Sequence, residues 1–199
     1  MGQIREPIKK SSIEKKNKII EKGFELMCTK GYHNVTCVDI AKYAGVSTGI
    51  IYQYFKDKRD IFIEGVKDYS NKIMFPMIDI LKENKFDKSN LKDVISRLID
   101  SFIKTHTMSK KALEELMAMS HLDSEIADIF HENEIRITDK ISSELTKNGI
   151  NTKNQKEKIH ISIGLVDNLC HEVVYHKHSE LDFPSMKEIV IETILSLLS

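Results

Sequence analysis

Pro7, Pro76 and Pro184 are the only prolines in 199 residues, and there are only eight glycines. A chain of many strands needs frequent turns, and turns draw heavily on these two residue types. Here long stretches run without them and carry apolar side chains three and four residues apart, the spacing of one helix face. The fold class read from this pattern is all-α. Nine helices are expected. The first follows Ser11, where Ser11 and Glu14 form a capping box, and closes at Lys30-Gly31. Short helices start at Thr36 and Ser47. A fourth starts near Asp57 and runs toward Lys85, kinked at Pro76. The remainder are expected over about 89–107, 109–120, 124–147, 155–178 and 185–198. No repeat period is present.

Composition removes several alternatives. At 41% hydrophobic and 30% charged the chain is too apolar for disorder. No stretch of 18 residues is apolar, which excludes a membrane-spanning helix. The first seven residues show no signal-peptide core, and Glu6 stands where a myristoylation motif needs Ser or Thr. The three cysteines, Cys28, Cys37 and Cys170, form no CxxC pair, so a cytoplasmic, disulfide-free protein is expected. Net charge is zero overall, but residues 1–22 hold seven Lys/Arg against three Asp/Glu. A basic N-terminal end points to an anionic partner.

Residues 36–55 have the spacing of a helix-turn-helix. Ala41 is small enough for one helix to cross closely over the other, and Gly45 sits where the turn needs a positive φ. Ser47 is placed to cap the second helix. That helix would turn Thr48, Gly49, Tyr52 and Gln53 outward, with Ile50, Ile51 and Phe55 inward. Polar and phenolic groups on a short exposed helix beside a basic arm suit a DNA major groove.

The stretch from Ile19 to Phe62 resembles the N-terminal domain of the TetR family of bacterial transcriptional repressors. The resemblance is carried by Phe24, Gly31-Tyr32, Thr36 with Ile40-Ala41, and the run Ala44-Gly45-Val46-Ser47-x-Gly49-x-x-Tyr52-x-Tyr54-Phe55-x-x-Lys58. It implies a division into a DNA-binding domain at 1–57 and an effector-binding and dimerisation domain at 58–199. It also implies a phosphate-binding hydroxyl at Thr36 and base contacts from Thr48 and Gln53. Gly49 would lie close to the groove, with phosphate contacts from Tyr52, Tyr54 and Lys58. Tyr54 replaces a histidine common at that place in the family.

Such a protein would bind a palindromic operator in double-stranded DNA as a homodimer and answer to a small, apolar effector. The apolar stripes at 155–178 and 185–198 supply the expected dimer interface, Ile159, Ile163, Val166, Val173, Ile189 and Ile194. The expected pocket draws on Met74, Met77, Phe102, His106, Met117, His121, Phe130 and Asn168. His171 and His178, near Cys170 and Glu172, are seven residues apart, but no HExxH or CxxC pattern accompanies them, so no metal and no cofactor are expected. No GxSxG, phosphate loop or triad is present, so no enzyme is expected either. A second reading remains: a ligand-binding helical bundle without sequence-specific DNA binding.

Overall fold

A computed structural model describes residues 7–71, 76–83, 86–108 and 110–199. It is helical, with no strand among the described residues. Ten α-helices follow in order: α1 (Lys10–Lys30), α2 (Cys37–Ala44), α3 (Thr48–Tyr54), α4 (Lys58–Tyr69), α5 (Ile80–Glu83), α6 (Leu91–Met108), α7 (Lys110–Leu122), α8 (Ser124–Lys147), α9 (Gln155–Val174) and α10 (Phe183–Leu198). The tenth arises because the expected fourth helix is resolved into two: α4 ends at Tyr69, and Pro76 opens a 3-10 turn, Pro76–Asp79, that leads into α5. Its missing N–H suits a helix start. Whether the helix carries on through 72–75 lies outside the described residues.

Two packing units account for the chain. The first comprises residues up to Ser70 together with 111–129; the second comprises 71–110 and 130–199. Packing divides the chain elsewhere than at the expected 57/58, because α7 and the start of α8 fold with the N-terminal helices.

In the first unit α1 packs on α2 and α4, and α2 on α3. Ile19, Met27, Ile40, Ile51, Phe55, Ile61 and Phe62 are fully buried. Phe62 lies 5.5 Å from Phe24 and 5.2 Å from Tyr32, ring centroid to centroid. Gly65 lets α1 and α4 approach closely: a side-chain carbon there would stand 2.5 Å from the Phe24 ring.

In the second unit α6, α9 and α10 pack together. Their core includes Val94, Ile99, Ile159, Leu169, Ile191 and Ile194, joined by Ile137 and Leu145 of α8. This corrects part of the expected dimer surface. Ile159 and Ile194 are buried in the subunit's own core, and Ile163 and Val166 pack against it. Both stripes are wide enough to serve the core and still leave apolar residues outside. Ile189 is 61% exposed and Ile161, on the opposite side of α9 from the core, 56%; Val173 is half-buried.

Candidate nucleic-acid interface

The helix-turn-helix forms for local reasons. Thr36 caps α2: its side chain accepts from the Asp39 N–H at 3.2 Å, while Asp39 accepts from the Thr36 N–H at 2.9 Å. The Thr36 hydroxyl donates to Asp39 Oδ2 at 2.5 Å, and that bond holds the Asp39 carboxyl below its ordinary range. At the turn Gly45 has φ 67° and ψ 40°, the left-handed conformation, and the Val46 N–H closes the corner on Ala41 O at 2.9 Å. α3 then buries Ile51 and leads into buried Phe55, while Gly49, Tyr52 and Gln53 are exposed and Thr48 and Tyr54 half-exposed. The expected outward set is thus brought onto one short surface.

Three expectations need correcting. Ser11 does not cap α1. The helix starts two residues earlier than expected, at Lys10, and the Lys9 carbonyl takes the first bonds from Ser12 and Ile13. Ser47 holds the N-cap position of α3, but only its backbone carbonyl takes part, accepting from Ile50 at 3.0 Å. Its hydroxyl makes no cap hydrogen bond. Lys58 is the third. Its ammonium donates to Tyr32 O at 2.7 Å and Val35 O at 2.8 Å, and lies 4.4 Å from the centre of the Tyr32 ring. The charge expected on phosphate is engaged inside the unit, tying the chain after α1 to the start of α4.

Other positive charge stands nearby. Lys16 Nζ lies 5.8 Å from the Phe55 ring centre, and Lys18 Nζ lies 3.8 Å from where a side-chain carbon on Gly45 would stand. The charge of the neighbouring Cys37 thiol, when ionised, raises the Tyr52 phenol above its ordinary range. The Tyr52 hydroxyl is therefore a neutral donor at physiological pH. Burial raises the Cys37 thiol in turn.

No local pattern signals the contacts that bring 111–129 into this unit. Glu115 accepts from the Tyr32 N–H at 2.5 Å. Arg59 donates to both oxygens of Asp123, at 2.5 and 2.8 Å, and to Glu125 at 2.9 Å. The partners lie 64 to 83 residues apart in sequence, beyond any helical or turn pattern.

Residues 19–64 match the family model for bacterial regulatory proteins of the tetR family. This stretch is thus similar to the N-terminal domain of tetR-family regulators. The fatty acid metabolism regulator protein of Bacillus subtilis is 35% identical over 91 residues, 46% of this chain and 47% of that one. The HTH-type transcriptional regulator HbdR of an Aromatoleum species is 44% identical over 55 residues, 28% and 24% of the two chains. The aligned part thus spans half or less of these curated relatives. The likeness in fold extends further. A protein of Mesorhizobium loti MAFF303099 described as a TetR-family transcriptional regulator superposes with a TM-score of 0.75 at 20% identity, over 96% of this chain and 98% of that one. A transcriptional regulator of Saccharomonospora viridis, solved in complex with choline, superposes at 0.69 and 20% identity, covering 92% and 96%.

The expected pocket residues divide between the units. Met117 and His121 fall in the first and are exposed; Phe102, His106, Phe130 and Asn168 fall in the second. There Phe102 and buried His106 stack with ring centres 4.5 Å apart, Phe130 is half-buried and Asn168 exposed. Met74 and the side chain of Met77 lie outside the described residues. His171 and His178 do not share a helix. α9 stops at Val174, and His178, beyond it, bonds Glu172 at 2.7 Å.

Proposed function

We propose that the chain is a cytoplasmic, dimeric, DNA-binding transcriptional repressor that leaves a palindromic operator when a small effector binds. The observation that carries DNA binding is Gly49. A glycine inside a helix costs about 1 kcal/mol relative to alanine. At Gly49 the nearest atom to an added side-chain carbon is Ser47 Oγ at 4.0 Å, and φ is not positive. The fold does not need glycine there. A groove wall pressed against α3 does.

In this reading Thr48 and Gln53 touch bases, and Ser47, Tyr52 and Tyr54 touch phosphates, with Thr36 at the N-terminus of α2. Lys16 and Lys18 supply the positive charge that Lys58 spends internally. Ile161 and Ile189, with Val173 at the margin, form the apolar part of a two-fold interface. That interface would set two copies of α3 about one DNA turn, roughly 34 Å, apart. Phe102, His106, Phe130 and Asn168 line the effector site. The choline complex of the Saccharomonospora protein supports small-ligand binding within this fold.

The test is fluorescence anisotropy with DNA taken from upstream of the protein's own gene, against random DNA of equal length, across a salt series. The specific fragment binds more tightly, and log affinity falls with log salt by about 0.9 per neutralised phosphate. Equal affinity for both DNAs would instead favour a ligand-binding bundle without sequence-specific recognition.

A further inference from the structure

A carboxylate of the second unit lies between two imidazoles that do not hydrogen-bond it. His106, in the last turn of α6 and 8% exposed, places Nδ1 2.9 Å from Phe102 O. A carbonyl oxygen only accepts, so Nδ1 donates and holds the ring proton. When the ring is neutral, Nε2 turns a lone pair toward Asp167 Oδ1, 3.6 Å away. On the other side His171 Nε2 stands 3.7 Å from Asp167 Oδ2. Both separations exceed a hydrogen bond, the Asp167 side chain is half-exposed, and a lone pair facing a carboxylate oxygen is repulsive unless a donor, water or a ligand, lies between them.

The walls of this cluster are aromatic. Phe102 stacks on His106 at 4.5 Å and Tyr175 on His171 at 4.8 Å. The Tyr175 ring already has one cation over it, the Lys110 ammonium at 5.3 Å, which donates to Val174 O at 2.9 Å. Among the described residues no three His, Cys, Asp or Glu side chains are arranged to hold a metal ion. The donor that fits is organic: positively charged, carrying N–H groups, and attached to a flat or apolar body that lies against the rings.

We propose that Asp167, with Nε2 of His106, binds the ammonium head of a primary or secondary amine, and that this amine is the effector. The inference rests on the regulator reading for the word effector, but not for binding. A quaternary ammonium carries no N–H and satisfies neither acceptor.

Isothermal titration of the full chain without DNA tests the site separately from DNA recognition. Benzylamine is the probe; benzyltrimethylammonium and phenylacetate are the controls. Benzylamine binds, the two controls bind at least tenfold more weakly, and Asp167→Asn loses about tenfold or more of the benzylamine affinity. Imidazole ¹⁵N NMR of the unaltered protein at neutral pH shows His106 singly protonated on Nδ1, with its Nε2 resonance moving on benzylamine addition. Absence of benzylamine binding, equal binding by either control, or an undiminished Asp167→Asn variant overturns the proposal. So does a doubly protonated His106 in the free protein, since its own N–H would then fill the gap. Because no DNA is present, a chain that binds benzylamine but no operator would refute the regulator reading and keep the site.

Discussion

The two packing units solve different problems with the same helical vocabulary. In the first, single residues of 36–55 have individual duties: a cap at Thr36, a left-handed turn at Gly45, an anchor at Ile51. In the second, the requirement is collective. Val94, Ile99, Ile159, Leu169, Ile191 and Ile194 form a core in which apolar character at the right spacing matters more than identity. Duplex DNA presents the same backbone to every protein, so a surface shaped to it leaves a recognisable pattern. A core built only to exclude water does not. The family model accordingly stops at residue 64, while the fold likeness runs through 96% of the chain.

Removing one large side chain from each unit is the harshest way to break this comparison. Phe62→Ala costs about 3–5 kcal/mol and Leu169→Ala about 2–5 kcal/mol, read by urea denaturation. Hydrogen exchange then shows Phe62→Ala exposing chiefly α1, α2 and α4, and Leu169→Ala chiefly α6, α9 and α10. If each variant deprotects both sets equally, the two units are not separate bodies of packing.

Gln53→Ala sharpens the contrast from the opposite side. It changes operator preference by about 1–3 kcal/mol at one base pair per half-site, with no change in melting temperature, because the side chain is exposed. Anisotropy against a set of single-base operator variants reads this out. Lys58→Met, one turn of chain away, does the reverse. It leaves two carbonyls without their ammonium, costs about 1.5 kcal/mol of stability, and leaves the salt dependence of DNA binding unchanged. A flattened salt slope would restore Lys58 to the phosphate set.

The smallest effect belongs to the Arg59–Asp123 pair. Hydrogen bonding to Arg59 holds the Asp123 carboxyl below its ordinary range. A depressed carboxyl stabilises the fold above its unfolded value of about 3.9, and that stability is lost as pH falls through the lower folded value. Asp123→Asn therefore removes about 1 kcal/mol at neutral pH and reduces the acid sensitivity of unfolding below about pH 4.

What was legible in the sequence follows the range of each interaction. The helix start at Thr36 and the Gly45 turn rest on residues three to five apart and are legible in the sequence. Ser11 and Ser47 have the right chemistry at the right places, yet the first lies inside α1 and the second caps through its carbonyl alone; composition cannot tell these apart. Lys58 was assigned by its place in a pattern, and nothing local shows that its ammonium turns back to Tyr32 and Val35. Gly65 was silent because the ring that requires it, Phe24, belongs to another helix. Ile159 and Ile194 were placed on the wrong face because α9 and α10 are apolar over more than one side. The pairing of 111–129 with the start of α4 left no trace, since carboxylates on a helix end ordinarily face water.

That return of 111–129 to the first unit has a consequence for biosynthesis. At roughly 5–20 residues per second, the ribosome finishes α1 to α4 several seconds before Glu115, Asp123 and Glu125 emerge. Until then the Tyr32 N–H and the Arg59 guanidinium lack those partners. The nascent head must wait, part-finished, for a segment encoded beyond α6. Transplanting residues 1–70 onto another protein would carry over α3 but not the residues that complete the support of its unit.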